Sequence, residues 1–180
     1  MQVKQGGNSK AVCLIAAMLA EVLCLSCGEP SPDRALRAVF TQNEAEFEKL
    51  KSMVVSDVTF RLISRTQVHK EGVRWVDPRT PGALGKVGIS EARYAEYLKI
   101  FNDLGLDEIL QDSGPTFYLR AVNPAFARGD HWKGYAYSPL GFGPLEDDLD
   151  SYASQSQHWW VFSHLKGNWY LYKRQSEPGP

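Results

Sequence analysis

The chain has 180 residues, 43% of them hydrophobic and 23% charged, with a formal net charge of −1. Those values lie in the ordinary globular range and exclude wholesale disorder. With 20 basic against 21 acidic residues and no run of Lys or Arg, the chain lacks the cationic footprint with which a duplex binder displaces counterions, so no nucleic-acid partner is expected.

The amino terminus, Lys4 and Lys10 precede an apolar run from Ala11 to Ala20, which Glu21 interrupts before Val22 to Leu25 resumes it. A spanning helix needs about 20 apolar residues. A run this short, broken by a carboxylate, reads as an export signal. Every cysteine of the chain, Cys13, Cys24 and Cys27, lies in or just after this run. The run ends in Leu23-Cys24-Leu25-Ser26-Cys27-Gly28, which resembles the lipobox of bacterial lipoproteins. The resemblance makes Cys27 the lipidated cysteine and the first residue of the mature chain, with the small Ser26 before it. Cys24 stands where that pattern usually has Leu, and Glu21 is close to the cleavage point. Cleavage before Cys27 would remove the other two thiols, which suits an oxidising compartment where spare thiols pair or react. The other reading of the same residues is an uncleaved helix with three buried thiols. Gly28 occupies the position at which, in the enteric sorting pattern, an Asp would retain a lipoprotein at the inner membrane. Its presence implies the outer membrane, facing the periplasm. The implied organisation is a signal peptide at 1–26, a lipidated tether at 27–33, one domain at 34–174 and a loose tail at 175–180, with the membrane as a partner through the lipid.

Ser31-Pro32-Asp33 predicts a helix start: Ser as N-cap, Pro at the first position, a carboxylate in the first turn. Leu36, Val39, Phe40, Phe47, Leu50 and Val54 follow at helical spacing, and Ser56-Asp57 ends the pattern. Thr41 and Glu44 predict a second capping box and a break near residue 41. Val58, Phe60 and Leu62 alternate as a strand, and Val73 to Val76 predicts the next one. Residues 77–88, rich in Pro and Gly, predict a loop. A second helix starts at Ser90, with Ile89 stapled onto Tyr94. It presents Tyr94, Tyr97, Leu98, Phe101 and Leu104 on one face and stops at Gly105 in the left-handed C′ position. Strands are predicted at 107–112, 116–122, 131–138, 157–163 and 169–174. Lys166-Gly167-Asn168 supplies the hairpin between the last two, with Gly and Asn for positive φ. The order implies an α+β fold: an antiparallel sheet of five to seven strands with two main helices packed on one face.

No G-x-S-x-G elbow, P-loop, H-E-x-x-H or later C-x-x-C occurs, and no cofactor is expected. On one regular strand His158 and His164 would lie about 20 Å apart, so a zinc site would need His131 and a distant carboxylate. Polar strand ends are the simpler reading of the histidines. Glu146-Asp147-Asp148-Leu149-Asp150 lacks the alternating acids and central Gly of an EF-hand and reads as a solvated acidic loop. Asp130-His131, with a hydroxyl such as Ser138, offers one hydrolytic combination, although neighbouring strand residues point to opposite faces.

Aromatic display is the stronger feature. A two-residue turn in the last hairpin would put Trp160, Phe162, Trp169 and Leu171 on one face and Trp159, Val161, Tyr170 and Tyr172 on the other. One face must cover the helices, while the apolar segment Pro139 to Leu145 can fold over the other or leave it to a partner. Two function classes follow. The first is a lipid-anchored binding or accessory module of the cell envelope. It would engage another envelope protein, peptidoglycan or a hydrophobic ligand through a face that includes Trp132, Tyr137 and Trp159. The alternative is a periplasmic hydrolase using Asp130 and His131. Beyond the lipobox the general likeness is to small lipoproteins of Gram-negative bacteria, which is a class and not an activity.

Overall fold

The computed structural model describes residues 32–112, 114–122, 131–152 and 159–175. Expectations for Cys27, Ser31, Asp130 and His158, and for the side chains of His131 and Trp159, lie outside what is described. The described elements are α1 (Pro32–Gln42), α2 (Glu44–Ser56), β1 (Phe60–Ser64), β2 (Val68–Lys70), α3 (Ala83–Val87), α4 (Glu91–Leu104), β3 (Leu106–Gln111), β4 (Phe117–Ala121), β5 (His131–Tyr137), β6 (Trp159–Lys166) and β7 (Trp169–Gln175). The seven strands form one antiparallel sheet in the order β2-β1-β3-β4-β5-β7-β6. The fold is α+β, with four helices among the described residues where two main ones were expected.

The first predicted helix breaks at Asn43, two residues later than expected. Thr41 does not cap; its hydroxyl donates back to the Arg37 carbonyl at 2.9 Å. Asn43 instead closes α1 by donating its backbone N–H to Val39 and Phe40 and its side-chain amide to Val39. The extra helix α3 forms inside the predicted 77–88 loop because Gly82 and Gly88, at φ 73° and 75°, bracket an apolar turn whose Ala83, Leu84 and Val87 are buried. Helix α4 follows the sequence closely. Ser90 accepts from the Arg93 N–H, Gly105 takes φ 65° at the C-cap, and Tyr94, Tyr97, Ile100, Phe101 and Leu104 are buried. A polar knot ties α4 to the end of α2: Asp57 accepts from Arg93 at 2.8 Å and from the Tyr97 hydroxyl at 2.8 Å. Burial, then the bond to Asp57, pushes the Tyr97 phenol well above its ordinary range.

Strand β2 replaces the strand expected at 73–76. Ser64 Oγ accepts the N–H groups of Thr66 and Gln67. This tight reversal pairs Val68 to Lys70 with β1 at once, leaving Val76 a single bridge to Val68. At the other edge, the bridge of Leu145 covers the middle of β6: Phe162 donates to the Pro144 carbonyl, and Glu146 donates to the Phe162 carbonyl at 2.8 Å.

The two faces of the sheet belong to two apolar clusters. All four helices contribute to the larger one, together with Ile63, Ile109, Phe117, Leu119, Tyr135, Val161, Trp169 and Leu171. The smaller is Ala136, Phe162, Tyr170 and Tyr172, with Tyr118, Phe142 and Trp160 packed on it, and none of the described helical residues belongs to it. This partition corrects the expected hairpin faces. Gly167 and Asn168 form the two-residue turn, with positive φ at Gly167 alone. A bulge between His164 and Lys166 then inserts one extra residue in β6. It inverts the phase of β6 against β7. Phe162 therefore opposes Tyr172, and Val161, not Trp160, shares a side with Trp169 and Leu171. Phe142 of the apolar loop stacks on Phe162 at 4.2 Å and meets Tyr170 edge-on at 5.2 Å, so the loop covers the centre of the second face.

Gly134 of β5 makes that second face possible. A methyl group there would lie 1.9 Å from the Leu119 carbonyl oxygen and 3.1 Å from the Tyr172 ring. Backbone and a packed ring cannot both yield, so Gly134→Ala is expected to destabilise the fold by about 3 kcal/mol or more. Chemical denaturation of the two proteins measures this.

Candidate functional site

Three arrangements of polar and aromatic side chains are built around β5. The first is a buried ion group at the start of α1. Asp33 and Lys133 are each almost wholly buried, and the Lys133 ammonium meets Asp33 Oδ1 at 2.7 Å and also bonds Asp150. Asp33 Oδ2 accepts the Leu149 N–H at 2.7 Å, and the Asp33 N–H donates to Asp150 Oδ2 at 3.1 Å. Asp150 thus satisfies one of the orphan donors at the start of the helix and sits where the helix dipole favours an anion. Lys173 lies directly across from Lys133 on β7 and donates to the carbonyls of Leu149 and Tyr152 at 2.9 and 2.8 Å. Burial, then the Lys133 charge, lowers the pKa of the Lys173 ammonium. Asp33, Asp148 and Asp150 bring carboxylate oxygens within 4.8 Å of one another, and Lys133 is the cation bonded to two of them. The acidic loop is therefore not uniformly solvated: Glu146 to Asp148 are exposed, whereas Asp150 enters the buried group.

The second arrangement is a cleft of about 380 Å³ where the end of α1 and the start of α2 meet the β6–β7 hairpin. Phe40, Tyr137 and Trp169 give it an aromatic wall, with Trp169 edge-on to Tyr137 at 5.2 Å. Its rim carries Glu44, Glu48, Lys51 and Lys166. Lys166 meets Glu44 at 2.5 Å, Lys51 pairs with Glu48, and the Trp169 indole N–H donates to Glu48 at 2.9 Å. The Lys51 hydrogen bond is the largest influence on Glu48, and its carboxyl pKa lies below the ordinary value. The Lys51 ammonium also stands 5.5 Å from the centre of the Tyr137 ring.

The third lies at the other end of β5, on the face of the smaller apolar cluster. Trp132 has the guanidinium of Arg120 at 5.0 Å from its ring centre and that of Arg174 at 5.3 Å. Arg174 is also 4.8 Å from Trp160, which packs on Tyr118 at 4.6 Å. Arg120 is held by Asp107 at 2.9 Å and Glu108 at 3.3 Å. Burial raises the Glu108 carboxyl above its ordinary range.

Of the expected binding face, Trp132 and Tyr137 occupy opposite ends and opposite faces of one strand, because they are an odd number of residues apart. They belong to two different arrangements. Trp159 begins β6, and its backbone pairs with Gln175. For the hydrolytic alternative, His131 begins β5 while Ser138 follows its last residue, about 23 Å away at strand rise. Ser138 is buried and bonded to Thr116 and the Leu140 N–H, so it cannot serve His131. His164 is exposed against the Gly167 carbonyl, and His69 stacks on Trp75 at 4.5 Å. Sequence reasoning missed Lys133, Lys173 and Arg174. Two lysines at interior positions of strands otherwise lined by aromatics were the readable signal, since buried lysines need partners.

No protein-family model matches this chain, and no curated protein or solved structure matches it.

Lys133→Met would leave Asp33 and Asp150 without their shared cation. A destabilisation of about 3–5 kcal/mol is expected. Adding Asp33→Asn should cost less than the two single changes together, because the groups act as one network. Denaturant titrations of the single and double variants measure both quantities.

Proposed function

We propose that this is a lipid-anchored cell-envelope protein whose folded part, 34–174, is a binding module with its ligand site in the cleft beside Tyr137. In this reading residues 1–26 are an export signal, Cys27 carries the lipid, 27–33 tether the domain, and the outer membrane is its site, facing the periplasm. The helices form a layer on one face of the sheet, and the cleft opens between that layer and the last hairpin.

The observation that carries the reading is the chemistry of the cleft. A volume of about 380 Å³ falls within the range of small-ligand sites. Its wall is aromatic, and its rim carries two carboxylates and two ammonium groups in two ion pairs, Lys51 with Glu48 along α2 and Lys166 of the hairpin with Glu44. Such a rim holds a ligand that has both charges, and the half-buried face of Tyr137 accepts a ring. Peptidoglycan fragments have both features, in amino-sugar rings and in stem peptides carrying amines and carboxylates. The paired rim charges suit positioning a ligand rather than moving a proton.

The anchor is tested by the intact mass of the chain purified from its membranes, beside Cys27→Ser. A chain beginning at Cys27 with acyl mass, lost in the variant, supports it; a full-length unmodified chain in the soluble fraction refutes it. The ligand site is tested by titrating soluble peptidoglycan fragments while following tryptophan emission, to which Trp169 contributes at the cleft wall. Binding that Tyr137→Ala weakens about tenfold is expected. Binding unaffected by that change, or seen only with a proteinaceous envelope partner, would remove peptidoglycan from this cleft.

A further inference from the structure

We infer that the end of the sheet carrying Trp132, Arg120 and Arg174 lies against the phospholipid headgroups of the membrane to which Cys27 tethers the chain. The inference rests on the lipid-anchor reading above and adds a second, protein-borne contact to it.

The first observation is where the chain joins the fold. Asp33 is bonded to Lys133, the third residue of β5, so α1 begins at the Trp132 end of that strand. The helix then runs beside β5 toward the cleft: the Tyr135 hydroxyl donates to the Leu36 carbonyl, and Phe40 meets Trp169 at 5.8 Å. Between Cys27 and Pro32 the chain can span at most about 17 Å when fully extended. A lipid on Cys27 therefore holds this end of the sheet, and not the cleft end, close to the bilayer.

The second observation is what that end displays. Trp132 is half-buried between two guanidinium groups, and Arg174 lies between the rings of Trp132 and Trp160. Val122, just past the end of β4 on the same side of the sheet, is 49% exposed. Indoles concentrate at the membrane interface, where the ring is partly apolar and the N–H is wet. A guanidinium fork matches the phosphate oxygens of a phospholipid headgroup. Arg174 offers that fork, while Arg120 is engaged by Asp107 and Glu108 and serves to hold Trp132. Tryptophan, arginine and one exposed valine at the tethered end fit a headgroup layer.

The test uses the acylated full-length chain, purified from membranes and reconstituted into phosphatidylethanolamine and phosphatidylglycerol vesicles whose acyl chains are brominated near the headgroup. Bromine quenches nearby indoles. We expect tryptophan emission to fall relative to unbrominated vesicles, Trp132→Phe to remove most of that fall, and Trp75→Phe, on the far edge strand's side, to retain it. A measurement on the unaltered chain guards against a variant that does not fold: bromines near the headgroup should quench more than bromines at the chain ends. Acylated protein whose emission is the same in both kinds of vesicle, or whose quenching survives intact in folded Trp132→Phe, overturns the lipid-facing surface while leaving the anchor standing. Protein that carries no acyl mass at Cys27 overturns the anchor, and this surface with it.

Discussion

The arrangement depends above all on the burial of one lysine. Lys133 enters the larger apolar cluster's side of β5, opposite a second lysine on β7, and two like charges so placed repel. They are tolerable only when Asp33 arrives from α1 and Asp150 from the loop before β6. Strand, helix and loop, far apart in sequence, must therefore assemble together, since any one without the others leaves an uncompensated buried ion. Hydrophobic burial supplies most of the driving force. The ion group ties α1, β5 and the loop before β6 to one another within that buried layer.

Strand β5 also separates two chemical settings along its length. Its centre is Gly134 and Ala136 on one face, small enough for Tyr172, Tyr170 and their neighbours to close over them, and Tyr135 on the other, inside the helical core. Its two ends are left to half-buried aromatics, Trp132 beside guanidinium groups and Tyr137 beside the mixed-charge cleft. At strand rise these are about 17 Å apart. If the Trp132 end lies at a bilayer, as proposed, the cleft opens away from it.

Most of the fold was readable from local chemistry. Ser90, the spacing of Tyr94 to Leu104, and Gly105 defined α4, because capping and periodicity act within one helix. The five later strands fell within a few residues of their places for the same reason. Three features were not readable. The bulge at the end of β6 reversed the expected partners of Trp160 and Phe162, and a one-residue insertion in a ladder leaves no mark in an alternating pattern. The turn built on Ser64 moved the second strand forward, since hydroxyl-to-backbone bonds compete locally with strand propensity. The Asp33–Lys133–Asp150 group joins α1 to residues a hundred or more positions away, so the strand pattern could mark Lys133 as needing a partner but not say which acid would reach it. The cleft was half visible. Tyr137 stood out as an aromatic near a strand end, but Phe40, Glu48 and Lys51 reach it only through the packing of α1 and α2 against the hairpin.

If the chain is lipid-anchored as proposed, its sheet edges bear on life in a crowded layer. Copies tethered to one membrane collide at an effective concentration far above that of free diffusion, and an open strand edge would then be a template for pairing with a neighbour. Here β2 is three residues long and bridged by Val76, while the middle of β6 is occupied by Pro144 and Glu146 and the His164 carbonyl is held by Arg37. Each edge is thus occupied in part by the chain's own segments, loops at Val76, Pro144 and Glu146 and helix α1 at Arg37. Dense packing on a surface can then proceed without polymerisation through the sheet.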